Sequence, residues 1–181
     1  MCGFDLATGI STTFSRYQMI PYLLTIEYRG VILSMRDSCE TRKIESEADV
    51  STFLDRLKYA IECGNPTIDF QEVRQSDNKR DIKFTNMYTM LTLFPGEDIQ
   101  EVLKRELPIL TTHDYIETAK DILFPKRSDM RVFGKKYSGE DVYIKIRVEL
   151  LNPSGNTDLI YVLSFHFAEH AFADADFPYG K

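Results

Sequence analysis

The stretch Val142-Tyr143-Ile144-Lys145-Ile146-Arg147-Val148-Glu149-Leu150 alternates apolar and polar residues without a break. Successive side chains of a strand point to opposite faces, so this segment reads as a strand with one buried side. Val142, Ile144, Ile146, Val148 and Leu150 then face a core, and Tyr143, Lys145, Arg147 and Glu149 face away from it. Two runs rich in Val, Ile, Tyr and Phe flank it, over 130–137 and 159–167. Ser138-Gly139-Glu140-Asp141 forms the first turn, and Asn152-Pro153-Ser154-Gly155-Asn156 lies in the second. A three-strand antiparallel meander is predicted for the C-terminal third.

Upstream the apolar period becomes helical. Ser46 with Asp49 makes a capping-box-like start, and Phe53, Leu54, Leu57 and Ile61 share one stripe closed by Gly64. Met87, Met90, Leu91 and Phe94 have helical spacing stopped by Pro95-Gly96. Ile99, Val102, Leu103 and Leu107 mark another helix, stopped by Pro108. The methionines are read as core fillers. Ile68, Phe70 and Val73 form a short strand or an extended loop, and Thr111 with Asp114 is expected to cap a helix through Tyr115, Ile116 and Ala119. Helices before a meander make an α+β domain, with helices packed on one face of a small antiparallel sheet. Residues 1–45 are set apart as an N-terminal extension, a β-hairpin formed by 23–28 and 31–35, leaving 46–181 as the main domain. There is no internal repeat.

Composition narrows the class. With 181 residues, 43% of them hydrophobic, the chain can bury a core. No apolar run approaches the roughly 18 residues of a membrane span, and the first residues lack a signal-peptide pattern. Cys2, Cys39 and Cys63 are odd in number and far apart, against a disulfide framework or zinc site. A soluble cytoplasmic protein is expected, without metal or cofactor. Met1-Cys2-Gly3-Phe4 suggests an N-terminal cysteine nucleophile, but the chain is too short for those amidotransferase domains and lacks their later motifs. His166, Glu169 and His170 lie on a strand end and loop rather than one helix face, so they are not read as metal ligands. Asp174 and Asp176 are read as solvated charges, and Lys79-Arg80 as a surface loop.

Register gathers the polar residues. A hairpin closed around 138–141 puts Lys136 opposite Tyr143 and Gly134 opposite Lys145, while a symmetric second hairpin puts Tyr143 opposite His166 and Lys145 opposite Ser164. Gly134, Lys136, Tyr143, Lys145, Arg147, Ser164 and His166 are thus predicted to share one surface. From Lys126 to Arg147 seven bases stand against three acids, a local +4 within a chain of −6. A basic sheet on an acidic body suits phosphate and a nucleic-acid strand. The plainer alternative is an ordinary solvated sheet face.

The blocks Val132-Phe133-Gly134-Lys135, Asp141-Val142-Tyr143-Ile144-Lys145-Ile146 and Val162-Leu163-Ser164-Phe165-His166-Phe167-Ala168-Glu169 resemble the MqsR-like branch of bacterial type II toxins. Phe53-Leu54-Asp55-Arg56-Leu57-Lys58 and Asp114-Tyr115 fit the same order, and the resemblance covers roughly residues 50–170. It implies a RelE-like fold, metal-independent endoribonuclease activity on mRNA, and silencing by a cognate antitoxin protein. By position, the family's strand tyrosine and nearby lysine fall on Tyr143 and Lys145. Its basic residue in the last strand falls on His166, a lysine in the best-known members. A family glutamine aligns near Gly134 and a family lysine near Glu117, and nothing is carried onto those two. The chain is also longer and more acidic than a typical member.

Metal-free RNA cleavage needs a base for the 2′-OH, an acid for the leaving 5′-oxygen, and cations on the phosphate. His166 is expected as general acid or base, with an ordinary pKa near neutrality and a contribution of about 10²–10⁴-fold in rate. Lys145 and Lys136 would neutralise the phosphate, with Lys135, Arg147 and Arg131 guiding the strand and Tyr143 bonding the phosphate or stacking on a base. The partners expected are an mRNA substrate and an antitoxin, with no membrane and self-association left open. The alternatives are a non-catalytic module whose basic face docks RNA or an acidic protein, and a structural or small-molecule domain whose face is merely solvated.

Overall fold

A computed structural model describes residues 40–63, 66–122, 124–151 and 157–180. The chain divides into two units at Cys39/Glu40, so all of these belong to the second. The hairpin expected over 23–35 lies outside the described residues. The element order is β1 (Glu40–Lys43), α1 (Glu47–Cys63), β2 (Thr67–Phe70), α2 (Asn86–Leu93), α3 (Ile99–Glu106), β3 (Tyr115–Asp121), β4 (Met130–Tyr137), β5 (Glu140–Leu151) and β6 (Thr157–Phe167). Short 3₁₀ turns fall at Gln75–Lys79, Ile82–Phe84, Thr112–Asp114 and Asp174–Asp176. The six strands form one sheet in the order β1-β3-β4-β5-β6-β2, antiparallel except for the parallel pair β2–β6. The α+β class holds, but the sheet is mixed and larger than the three-strand meander. Among the described residues no helix is long and apolar enough to cross a membrane.

The helices start where their caps are. Ser46 Oγ accepts the Asp49 N–H, Thr85 Oγ1 that of Tyr88, and Asp98 that of Glu101. Val50, Phe53, Leu57 and Ala60 of α1, with Met90 of α2 and Val102 and Leu103 of α3, are buried. They pack on Phe133, Val142, Ile144, Ile146, Ile160, Val162, Phe165 and Phe167 of one sheet face. The core is thus the apolar half of the alternation first seen in β5.

Three expectations change. The Thr111–Asp114 box does form, but it closes a single 3₁₀ turn and the chain continues as β3. Tyr115 and Ala119, at helical spacing, are both buried in the sheet but on opposite faces, because a bulge at Ile116 shifts the parity between them: Tyr115 pairs with Phe133, Glu117 with Val132 and Ala119 with Met130. The first hairpin is tighter than a four-residue turn. Ser138 and Gly139 have φ of 52° and 89°, the two-residue geometry that matches strand twist. Tyr137 therefore pairs with Glu140 and Gly134 with Tyr143, a slip of two that keeps every side chain on its face.

The third change is in β6. Tyr143 faces His166 and Lys145 faces Ser164 as expected, but Ile146 pairs with Val162, leaving Leu163 as an extra residue. The pattern requires it: Ile160 and Val162 are even, Phe165 and Phe167 odd, and all four are buried in one core. Among the described residues β2 ends at Phe70, and α2 takes its place along that edge of β6. The Asn86 side chain donates to the carbonyls of Leu163 and Gln71 and accepts from the Phe165 N–H, while Thr89 Oγ1 accepts from the Phe167 N–H. Both side chains are fully buried. Substituting Asn86 by Ala leaves these backbone groups unpaired, so urea unfolding should show a loss of roughly 2–4 kcal/mol. A loss within a few tenths would contradict this account of the edge.

Candidate functional site

The sheet face away from the helices carries the polar half of β5. Tyr143 and Lys145 stand there with His166 and Ser164 across on β6, and with Gly134 and Val132 across on β4. The Tyr143 and His166 rings stack with centroids 5.4 Å apart and planes 21° from parallel. His166 is only 5% exposed. Its Nδ1–H donates to the Phe167 carbonyl at 2.8 Å, which leaves a lone pair on Nε2. Arg80 Nη1 donates towards that lone pair at 3.4 Å, and Arg74 Nη1 donates to Ser164 Oγ at 2.8 Å.

Both arginines come from the segment between β2 and α2. It is built on its own acids: Asp77 accepts from the Arg74 backbone and guanidinium, and Asp81 caps the turn at 82–84 by accepting from Lys83 N–H. Arg80 Nε in turn pairs with Glu169 at 2.9 Å. Of this segment, Lys79-Arg80 reads from sequence as a surface loop. The signal was indirect: Ser164 and His166 lie on the strand beside β2, so the chain leaving β2 passes directly over them.

Burial comes first in the electrostatics. It pulls His166 down to about 4, and Arg74 and Arg80 add to the fall against the opposing pulls of the Phe167 carbonyl and Glu169. Burial, with Glu117 adding to it, pushes Tyr143 up to about 12. At pH 7 the stacked pair is a neutral imidazole with a lone pair and a protonated phenol. The expectation that His166 titrates near neutrality is thereby corrected.

The expected cations are mostly occupied. Lys145 Nζ sits between both carboxylate oxygens of Glu40, at 2.7 and 2.8 Å. Arg147, on the same face, pairs with Glu149 at 3.1 Å and lies 4.5 Å over the Tyr161 ring. Lys136 shares the face and pairs with Asp141 at 3.0 Å, but its side chain is 70% exposed. Lys135 and Arg131 do not join them: they have the parity of Phe133 and lie on the helix face. Lys135 pairs with Asp114 at 3.4 Å, and Arg131 pairs with Glu45 at 3.0 Å while covering Phe53. Summing charge along the chain hid this pairing, because Glu40, Glu45 and Asp114 are distant in sequence.

The two positions that departed from the toxin pattern are occupied differently. A Cβ on Gly134 would meet the Phe172 ring at 2.6 Å and Ile116 at 3.0 Å, so the C-terminal segment fills the space a side chain would take. Glu117 pairs with Arg42 of β1 at 2.7 Å. Among the described residues no group of three or more His, Cys, Asp or Glu side chains is placed to hold a metal ion. No family model, curated protein or solved structure matches the chain.

A histidine held below its unfolded pKa stabilises the fold above pH 6.5, and that contribution is lost as pH falls towards 4. Between pH 7 and 4.5 the wild type should lose about 2 kcal/mol more than a His166→Gln variant, read by urea unfolding. Equal losses in the two proteins would show that His166 titrates normally.

Proposed function

We propose that this face binds single-stranded RNA and cleaves it by attack of the 2′-OH on the adjacent phosphate, in a RelE-like arrangement of helices and sheet. The observation that carries the reading is the stacked Tyr143–His166 pair, next along the same two strands to the Lys145–Ser164 pair and with two guanidiniums against it. The resemblance to MqsR-like toxins falls on the same three side chains, Tyr143, Lys145 and His166.

The tautomer narrows the roles. With Nδ1–H committed to a carbonyl, His166 acts as the base: Nε2 takes the 2′-OH proton as O2′ bonds to phosphorus. The P–O5′ bond breaks, and the protonated Tyr143 hydroxyl gives its proton to the departing 5′-oxygen. The products are a 2′,3′-cyclic phosphate and a 5′-hydroxyl. Lys145 would bear on the phosphoryl oxygens once Glu40 gives way, since a carboxylate now takes both of its short contacts. A cognate antitoxin and an mRNA substrate belong to this reading.

Burial of the imidazole favours a second reading, in which the face binds RNA without turnover, because a base that titrates at about 4 is weak. Purified protein incubated in EDTA with mixed-sequence single-stranded RNA separates the two. Cleavage that falls at least a hundredfold in His166→Ala and in Tyr143→Phe supports the ribonuclease. Intact RNA that still binds, with steep weakening by salt, supports the binding module. Glu40→Gln should tighten RNA binding roughly tenfold by freeing Lys145. Unchanged affinity would remove Lys145 from the site.

A further inference from the structure

We propose that the 71–85 segment is the phosphate-receiving half of the site: Arg74 and Arg80 take a phosphate oxygen of a nucleic-acid strand, and Arg80 thereby leaves the Nε2 lone pair of His166. This rests on the reading of the face as a nucleic-acid site, and it assigns a binding role to residues outside the toxin resemblance's matched positions.

Donor accounting comes first. A guanidinium has five N–H groups. Arg74 uses Nε and Nη2 on Asp77 and Nη1 on Ser164, which leaves one N–H on each terminal nitrogen beyond those bonds. Arg80 uses Nε on Glu169 and one N–H towards His166, so its fork is still less committed. Guanidinium forks match phosphate oxygens in pairs, and this is the contact a diester in the site would make.

The ties that must give way are the weak ones. Arg80 and Glu169 are 31% and 43% exposed, and an exposed pair of this kind holds its geometry weakly. At 3.4 Å the contact to His166 is long for a hydrogen bond. Lys145 and Arg147 differ, since the side chains of both are about nine-tenths covered; Lys145 is held by both oxygens of Glu40, and Arg147 lies 3.1 Å from Glu149 without a formed hydrogen bond.

The exchange also changes the base. The charged and titratable groups acting on His166 are Arg74 and Arg80 from this segment, Glu169 beyond β6, and the stacked Tyr143 from β5. Two guanidiniums here oppose protonation, and one of them lies against the lone pair. A phosphate between them offsets their charge and frees Nε2, so the imidazole becomes a stronger base when substrate is present. The segment would then couple binding to chemistry.

The test uses the full chain and a fluorescein-labelled single-stranded DNA decamer, which has the phosphates but no 2′-OH. Arg80→Gln should weaken its binding tenfold or more at low salt and flatten the salt slope by about 0.7. Lys104→Gln, on the exposed side of α3, should leave both unchanged. In imidazole ¹⁵N spectra, saturating decamer should raise the His166 midpoint by one pH unit or more, and Arg80→Gln should raise it without the decamer. Absent binding, equal affinity in Arg80→Gln, or a His166 midpoint indifferent to the decamer would each overturn the proposal. RNA cleavage is a separate readout. If the decamer results hold while RNA stays intact, the ribonuclease reading fails and this one stands. If Arg80→Gln binds and cuts RNA at the wild-type level, this one fails and the ribonuclease stands.

Discussion

One extra residue in β6 decides where the site is. A regular strand would place Ser164 and His166 on the same side as Ile160 and Val162, in the core, and would turn Phe165 and Phe167 outward. The bulge at Leu163 lets both apolar pairs stay buried and sends the serine and the histidine to the opposite face. A bulge leaves backbone groups to be satisfied, and Asn86 of α2 supplies the partners on both sides of it. The polar cluster therefore depends on a helix residue that never touches it.

Charge is arranged by pairing across distant parts of the chain. Three of the seven bases in 126–147, Arg131, Lys135 and Lys145, meet Glu45, Asp114 and Glu40. What is left against the imidazole is a small, partly buried cluster of two guanidiniums, a phenol and a hydroxyl. In such a place desolvation, with the two guanidiniums adding to it, outweighs the Phe167 carbonyl and the Glu169 carboxylate, and the histidine falls far below its ordinary pKa.

The strand alternation makes the C-terminal meander, its buried face and the Tyr143–His166 and Lys145–Ser164 pairs legible in the sequence. The helices at 47–63, 86–93 and 99–106 were legible from apolar spacing and stop signals. β1 and β3 were not. β1 is four residues of Glu, Thr, Arg and Lys with no apolar face to reveal it, and in β3 Tyr115 and Ala119 stand four apart, a spacing that a helix face shares with a strand. Arg74 is passed over and Arg80 reads as a surface loop because a loop has no period, and its position over β6 follows from the parallel pairing of β2 alone. Lys135 and Arg131 could have been placed correctly, since they share parity with buried Phe133.

A buried neutral base beside a protonated phenol, bordered by arginines with donors to spare, is an arrangement in which a bound phosphate changes the chemistry of its neighbours. The resemblance to MqsR-like toxins adds a reaction that such neighbours could carry out, while Gly134 under Phe172 and Glu117 beside Arg42 give this chain its own version of the surface. The most direct measurement is photocrosslinking of a short RNA bearing 4-thiouridine, followed by mass-spectrometric mapping of the linked peptides. Crosslinks on the peptides that carry Tyr143, His166 and the 71–85 segment are the expected result. Crosslinks confined to the helix face around Arg131 and Lys135, or none at all, would contradict the placement of RNA on this side of the sheet.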